Sequence, residues 1–259
     1  MPSTRDIDLW KAFKILLVAP NGRGKTVAAA SFHEAGPIVF HEFDGRMKPV
    51  KLIYPNVDIE YFSYGIDNYK QFENWLEDIQ KQNHPPKWKT IVIDSITSLS
   101  MTNVMYQLTV KGKVKTGAAG LPSTSWDEIN NETVSISKVL EVLKRLYERW
   151  GINVIVTAHP VTKTEIGDGD KKETRRTESL VSYGPKIGGI VPGYFDEIYR
   201  IAVRKKDMSG GMDRIAITTL TSTDDDILAK SALGIPQELN ITNGLYSALM
   251  ACKPKALSS

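Results

Sequence analysis

Two glycines, a lysine and a threonine stand between an apolar run and an alanine-rich run near the start of the chain. The stretch reads KILLVAPNGRGKTVAAASF and extends from Lys14 to Phe32. Glycines in such a loop let backbone N–H groups converge on phosphate, a lysine reaches the outer phosphates, and a threonine hydroxyl holds Mg²⁺. Ala19 replaces the first glycine of the usual pattern G-x-x-x-x-G-K-S/T, which removes backbone freedom but no phosphate ligand. The predicted nucleotide-binding residues are Asn21, Gly22, Arg23, Gly24, Lys25 and Thr26.

Acidic residues follow two later apolar runs, where they could act together with this loop. The run TIVID ends at Asp94, which predicts a carboxylate that positions Mg²⁺ or its waters beside Thr26. Glu42 and Asp44, in VFHEFDGR, follow the other run, and hydrolysis needs one carboxylate to orient the attacking water. Strand alternation directs both side chains to the same side, so facing alone leaves the choice open. A plain surface acid is the alternative interpretation of each.

A histidine and two basic segments complete the candidate set. His159 ends the run VIVTAH, which predicts contact with the terminal phosphate, with a purely structural histidine as the alternative. The segment TVKGKVKTGAAG has three lysines and no acid, whereas residues 161–177 have five cations against four acids, a balance of +1. Both segments are candidate contacts of single-stranded DNA, with solvated loops as the alternative. The predicted DNA-contacting residues are Lys111, Lys113, Lys115, Lys163, Lys171, Lys172, Arg175 and Arg176.

Composition indicates an ordinary globular protein. The 259 residues are 41% hydrophobic and 24% charged, and the net charge of +3 permits a nucleic-acid partner without requiring one. One cysteine, Cys252, excludes an internal disulfide framework and a cysteine-cluster metal site, which favours a cytoplasmic location. Because no apolar run has the length of a membrane span, we expect no membrane partner.

The elements that must position these residues can be predicted from apolar periodicity. Four strands are expected at 15–18, 38–43, 90–93 and 153–157, with helices between them that include 69–82 and 126–150. This alternation predicts an α/β fold whose mainly parallel sheet has helices on both faces and ligands at the carboxyl ends of the strands.

The remainder of the chain has a different pattern. We expect a mobile loop at 161–179, an antiparallel hairpin around DMSGG, and then a short strand, a turn at Pro236 and a closing helix at 245–252. The expected organisation is a single domain, 1–259, with an N-terminal extension at 1–13, a core with its hairpin at 14–221 and a C-terminal segment at 222–259.

Taken together, the motifs resemble the RecA-like P-loop ATPases, and most closely the short RecA-like proteins that bacteriophages encode for single-strand annealing and recombination. The resemblance covers about Lys14 to Ala251 through APNGRGKT, VIDSITSL, VIVTAH and ILAKSALG. It implies single-stranded DNA binding by the loops after the third and fourth core strands. It also implies that Asp44, which precedes a glycine, activates water in place of the usual glutamate. Lys230 matches a lysine that acts on a neighbouring subunit's nucleotide, while Ala232 replaces the accompanying arginine. An exposed lysine at a helix end is the alternative interpretation of Lys230, and Arg204, Lys205 and Arg214 are the other candidate cations for a role between subunits.

The resulting hypothesis is an ATPase that uses ATP and Mg²⁺ at subunit junctions to control its binding to single-stranded DNA. Its expected partners are single-stranded DNA and further copies of the chain in a filament or ring, with a single-stranded DNA-binding protein as a further candidate. The expected location is the cytoplasm, which is that of a bacterial host if a bacteriophage encodes the chain. Two alternatives remain open. One is a hexameric helicase or translocase, and the other is a nucleotide-gated adaptor that does not hydrolyse ATP.

Overall fold

The computed structural model describes residues 8–109, 115–116, 122–123, 126–166, 174–182, 186–205, 211–219 and 228–254, with the backbone alone at 115–116, 122–123, 126–130, 162–166 and 174–178. The first half contains β1 (Lys14–Val18), α1 (Lys25–Ala30), β2 (Ile38–Glu42), α2 (Lys48–Ile53), β3 (Glu60–Ser63), α3 (Tyr69–Lys81), β4 (Thr90–Asp94) and α4 (Ile96–Thr109). The second half contains β5 (Lys115–Thr116), β6 (Pro122–Ser123), α5 (Trp126–Trp150), β7 (Asn153–Ala158), β8 (Pro160–Ile166), β9 (Thr174–Leu180), α6 (Ile187–Ile190), β10 (Glu197–Lys205), β11 (Met212–Ile217), β12 (Glu238–Asn240) and α7 (Leu245–Cys252). Short 3₁₀ helices lie at Ser31–Ala35 and Val191–Tyr194.

The main sheet brings the ends of its central strands to one edge. Within the described residues it has eight strands in the order β12–β11–β10–β1–β7–β4–β2–β3. The strands from β10 to β3 are parallel, whereas β11 and β12 pair in antiparallel fashion. Parallel strands present their carboxyl ends together, so the loops after β1, β2, β4 and β7 meet there. The predicted α/β class, with its parallel sheet and added hairpin, is confirmed.

Helices cover both faces of this sheet, which explains why its central strands are continuously apolar. Leu16 and Val18 of β1 pack into a core with α3, α4 and α5. Ile15 and Leu17, from the same strand, pack into a second core with α1, α2 and α7. All four side chains are fully buried. A strand buried on both faces loses the alternation of a half-exposed strand, as expected for a parallel sheet.

The polar segment at 161–179 differs from its sequence-based prediction as a mobile loop. Its two arms form the antiparallel ribbon β8–β9, whose register runs from Pro160 opposite Leu180 to Ile166 opposite Thr174. Strand pairing satisfies the backbone groups whether or not one face is apolar, so a ribbon with two polar faces gives no alternating hydrophobic pattern. Residues 167–173, between the arms, lie outside the described part of the chain.

The C-terminal segment agrees with its prediction in the helix but differs in the strand. The predicted helix at 245–252 is α7. The short strand, expected before Pro236, is instead β12 at Glu238–Asn240, which pairs with β11. Of residues 222–235, the described part is 228–235, and its β-pairing there is an isolated bridge between Lys230 and Ile198. The strand was misplaced because its position depends on the open edge of β11, a partner that is distant in sequence.

Candidate active site

The glycine-rich loop adopts its shape through two glycines with left-handed backbone conformations. Gly22 has φ 74° and Gly24 has φ 90°, values that residues with a Cβ atom rarely adopt. Ala19, in the place of the first glycine, is fully buried in the core beside α1. Its methyl group therefore packs inside the protein rather than towards the phosphate-binding surface. The departure from the usual pattern leaves the loop able to close around an anion.

Lys25 begins α1 and points back into this loop. Its ammonium donates to the carbonyl oxygens of Ala19 at 2.7 Å and Pro20 at 3.2 Å, and lies 3.1 Å from Nδ1 of His159. The residue is only 6% exposed. Burial lowers the pKa of Lys25 to about 8, although the charges of Asp94 and Asp44 oppose the shift. The three acceptors around this buried ammonium are neutral, so it is suited to exchange them for the charged oxygens of a phosphate.

The structure brings together Thr26 and Asp94, the two side chains predicted to bind Mg²⁺. The Thr26 hydroxyl donates to Oδ2 of Asp94 at 2.7 Å, and the Thr157 hydroxyl of β7 donates to Oδ1 of the same carboxylate. Burial raises the pKa of Asp94, and both hydrogen bonds oppose the shift. Hydroxyl and carboxylate oxygens suit Mg²⁺, which usually completes its octahedron with water and substrate phosphates. The described residues contain no cluster of three or more His, Cys, Asp or Glu side chains that could hold a metal without such help.

The structure places Glu42 and Asp44 in different surroundings. Strand β2 ends at Glu42, so the alternation that would direct both acids to one side does not continue to Asp44. Asp44 lines a cavity of about 220 Å³ together with Lys25, Thr26 and Asp94. Glu42 is 1% exposed and instead lines a neighbouring cavity of about 540 Å³ beside α2. The geometry therefore favours Asp44 over Glu42 as the acid that faces the candidate phosphate site.

His159 connects Lys25 with Asp44. While the Lys25 ammonium donates to Nδ1, the proton of a neutral imidazole resides on Nε2, which lies 3.5 Å from Oδ2 of Asp44. Burial acts to raise the pKa of Asp44, but hydrogen bonds from His159 and Ser98 and the charge of Arg46 outweigh it, and the pKa is lowered. Asp44 is therefore ionised at neutral pH and able to accept a hydrogen bond from water.

Two arginines in the same cavity were not predicted to lie there, since Arg46 was not a candidate and Arg214 was considered only for a neighbouring subunit's nucleotide. Arg46 and Arg214 line it beside Lys25 and Asp94. Arg46 had a local signal, since it follows Asp44 and Gly45 directly. Arg214 had none, because β11 reaches the loop only through the hairpin. Its Nε lies 2.8 Å from the position that a Cβ on Gly24 would take, which places it against the loop of its own chain.

Lys230 lies outside this cavity. Its backbone pairs with Ile198 through N–H to O distances of 2.9 and 2.7 Å, and the residue is exposed. Residues 228–235 form no helix, so the alternative interpretation as a lysine at a helix end is not supported. Of the other cations considered for a role between subunits, Arg204 donates to Glu238 through Nη1 at 2.7 Å.

The predicted DNA-contacting residues fall at the margin of the described chain. Lys111, Lys113, Lys171 and Lys172 lie outside it, and the backbone alone places the others. Lys115 is in β5, Lys163 in β8, and Arg175 and Arg176 are in β9. The β8–β9 ribbon starts one residue after His159, whose carbonyl accepts from Val181 N–H at 2.8 Å. The foot of the ribbon, meaning Pro160 and Val181, is therefore joined to His159 of the candidate active site by the chain and by this hydrogen bond.

Comparisons with known proteins found a matching family model and a similar solved structure. The model of a family described as an AAA domain matches residues 11–233. A KaiC-like protein from the hyperthermophilic archaeon Pyrococcus horikoshii is similar in structure, with a TM-score of 0.38 and 17% identity over 79% of this chain and 77% of that one. No curated protein matches the sequence. Among the described residues, no helix combines the length and apolar character needed to cross a membrane.

Proposed function

Because the chain belongs to this family of AAA domains, whose members are P-loop ATPases, we propose that it is an ATP-dependent single-stranded DNA-binding protein. It would act in DNA recombination or annealing, like the bacteriophage proteins that its motifs resemble, and hydrolyse ATP at junctions between its copies. The observation that carries this proposal is the continuous connection from Lys25 through His159 to the foot of the β8–β9 ribbon.

Four polar side chains of the cavity have a defined part in the proposed ATP hydrolysis. Bound Mg²⁺ and ATP supply the reactive phosphorus and the metal charge that neutralises its oxygens. Lys25 binds the outer phosphates, while Thr26 and Asp94 hold the metal or its waters. Asp44 orients water for attack on the terminal phosphorus, and the bond to the bridging oxygen of ADP breaks. Asp44 is suited to this part because it is ionised and only about 10% exposed.

In this proposal, ATP binding affects DNA binding through a change in the hydrogen-bond partners of Lys25. Without phosphate, its ammonium engages Nδ1 of His159 and two backbone carbonyls. Once Lys25 turns to a phosphate, His159 loses this donor and either rotates or binds the phosphate itself. The His159 carbonyl holds Val181 at the foot of the ribbon, so such a movement shifts the ribbon. DNA affinity would then depend on the nucleotide.

The test of DNA binding concerns the lysine-rich segment. Alanine at Lys111, Lys113 and Lys115 should weaken single-stranded DNA binding and reduce the slope of log affinity against log salt by about 2, since each phosphate contact contributes about 0.7. A matched control removes three lysines that pair with carboxylates elsewhere, namely Lys81, Lys87 and Lys138. Fluorescence anisotropy at several salt concentrations measures both slopes. Equal slopes in wild type and the triple variant would contradict the assignment.

Assembly can be tested through Lys230. Its side chain is exposed and does not line the cavity of its own chain, so it is available to a neighbouring copy. We expect Lys230→Ala to bind ATP but to lose DNA-stimulated hydrolysis. A mixture with Lys25→Ala should recover part of the activity, because some junctions then pair an intact Lys25 with an intact Lys230. No recovery in mixed assemblies would favour a self-contained site.

Electron microscopy with ATP and single-stranded DNA separates the alternatives. Filaments on DNA would support the recombination or annealing function. Closed rings would favour a helicase or translocase motor, and unchanged monomers without hydrolysis would favour the adaptor.

A further inference from the structure

Arg46 lies two residues after Asp44, the candidate water-orienting acid. Its guanidinium Nη1 donates to Oδ1 of Asn21 in the glycine-rich loop at 2.8 Å. The side chain lines the cavity that contains Lys25 and Asp44, and the residue is exposed to solvent. Arg46 therefore spans the cavity mouth from the turn after β2 to the loop after β1.

A buried acid holds the backbone of this arginine. The N–H of Arg46 donates to Oε1 of Glu42 at 2.6 Å, and Glu42 is 1% exposed. Between them, Gly45 has φ 68°, a left-handed conformation that permits the sharp turn. A hydrogen bond to a buried carboxylate is stronger than one between neutral groups. The start of the arginine side chain is thus fixed, while its guanidinium remains free to exchange Asn21 for a stronger acceptor.

We propose that Arg46 is a catalytic residue that binds the terminal phosphate of ATP within its own subunit, and that Glu42 is the residue that positions it. The inference rests on the proposed ATPase function and adds a cation that the nucleotide motif does not contain. Asn21 offers one neutral amide oxygen, whereas a phosphate offers several charged oxygens that match the guanidinium fork. Charge on those oxygens is redistributed as the terminal bond breaks, and a fixed guanidinium stabilises it at that point.

This assignment gives Glu42 a part different from the catalytic one considered from the sequence. A base must face the reacting water, but Oε1 of Glu42 faces the backbone of Arg46. Glutamine at this position keeps an oxygen that accepts the same hydrogen bond, whereas alanine removes it. The two substitutions therefore separate a positioning part from a proton-accepting part.

The main experiment compares Arg46→Ala with Arg46→Lys and with the control Lys48→Ala. Lys48 is exposed, lies two residues away and lines the neighbouring cavity, so its loss removes the same charge from the same region. We expect Arg46→Ala to lower kcat about 100-fold or more, as for loss of one donor to developing charge, with a smaller change in KM. Binding of fluorescent nucleotides should show a reduced preference for ATP over ADP. Lys48→Ala should stay within about threefold of wild type in both measurements, a difference below 1 kcal/mol.

Two further measurements distinguish this proposal from a structural effect. Millimolar guanidinium should partly restore hydrolysis by Arg46→Ala but not by Lys25→Ala, and Arg46→Lys should retain intermediate activity. Glu42→Ala should resemble Arg46→Ala in kcat and in nucleotide preference, while Glu42→Gln, which keeps a weaker neutral acceptor for the Arg46 N–H, should lower kcat much less than Glu42→Ala. An Arg46→Ala protein with unchanged kcat and ATP preference, or a Lys48→Ala protein with the same losses, would overturn the proposal. Absence of hydrolysis in wild type would instead overturn the proposed ATPase function itself.

Discussion

The pH dependence of nucleotide binding tests the environment of Lys25 directly. Burial lowers the pKa of Lys25 to about 8 from an ordinary value of 10.5, a difference that corresponds to about 3 kcal/mol. Bound phosphate adds opposite charge and favours the ammonium, so the pKa must rise on binding. Nucleotide affinity should therefore be close to its full value at about pH 7 and decline as the pH rises through 8.

The size of the effect follows from the fraction of protonated lysine. At pH 9 about nine-tenths of the free sites have lost the proton, so ATP should bind about tenfold more weakly than at pH 7. The bound complex must recover that proton, and at pH 8.5 about 0.8 proton should be taken up for each nucleotide. Calorimetry in buffers with different ionisation enthalpies measures this uptake, and a fluorescent ATP analogue measures the affinity.

A matched variant shows whether Lys25 causes the dependence. In Lys25→Arg the guanidinium stays charged throughout this range, so its affinity, although weaker, should be nearly independent of pH. A wild-type affinity that is flat between pH 7 and 9 would refute the reasoning. The same slope in Lys25→Arg would also refute it, because another group would then be responsible.

Three further predictions follow from single contacts. Asp44→Asn should keep ATP affinity within about threefold but lower kcat by about 100-fold or more in steady-state assays, whereas retained turnover would exclude Asp44 as the water-orienting acid. Gly24→Ala should cost about 1–2 kcal/mol for its left-handed backbone and also displace Arg214, so urea unfolding and ATP binding should both suffer. A Cβ at Gly22 would meet no atom within 4 Å, so Gly22→Ala should show the backbone effect alone. If Gly22→Ala and Gly24→Ala had equal ATP affinities, the contact with Arg214 would have no effect on binding. Thr157→Val leaves a buried carboxylate oxygen of β4 without its donor, which should lower the free energy of unfolding by about 1–3 kcal/mol, while Thr157→Ser should restore most of it.

Local sequence was sufficient to predict the elements whose conformation depends on residues only a few positions apart. The glycine-rich loop was predictable because Gly22 and Gly24 supply left-handed conformations that few other residues adopt. Helix α3 was predictable because Tyr69 and Phe72 begin a buried stripe at helical spacing. Neither inference required knowledge of a distant contact.

Edge elements and polar ribbons were not predictable from the same patterns. Strand β3 at Glu60–Ser63 lies at the sheet edge and is largely exposed, so its sequence has no buried face to indicate it. The arms of β8–β9 are stabilised by pairing with each other, which leaves little trace in a polar sequence. Strand β12 depends in the same way on β11.

The sequence by itself determined the α/β alternation, the phosphate-binding loop and the identity of Lys25, Thr26 and Asp94 as a set, because each depends on local backbone freedom or on apolar periodicity. The motif context already favoured Asp44 over Glu42, but only the tertiary structure placed the two acids in separate cavities and brought Arg214 to the loop. Both outcomes depend on where strands end and which strands are neighbours in the sheet. Those features arise when strands that are distant in the chain pair and bury their faces together, so no short stretch of residues contains them.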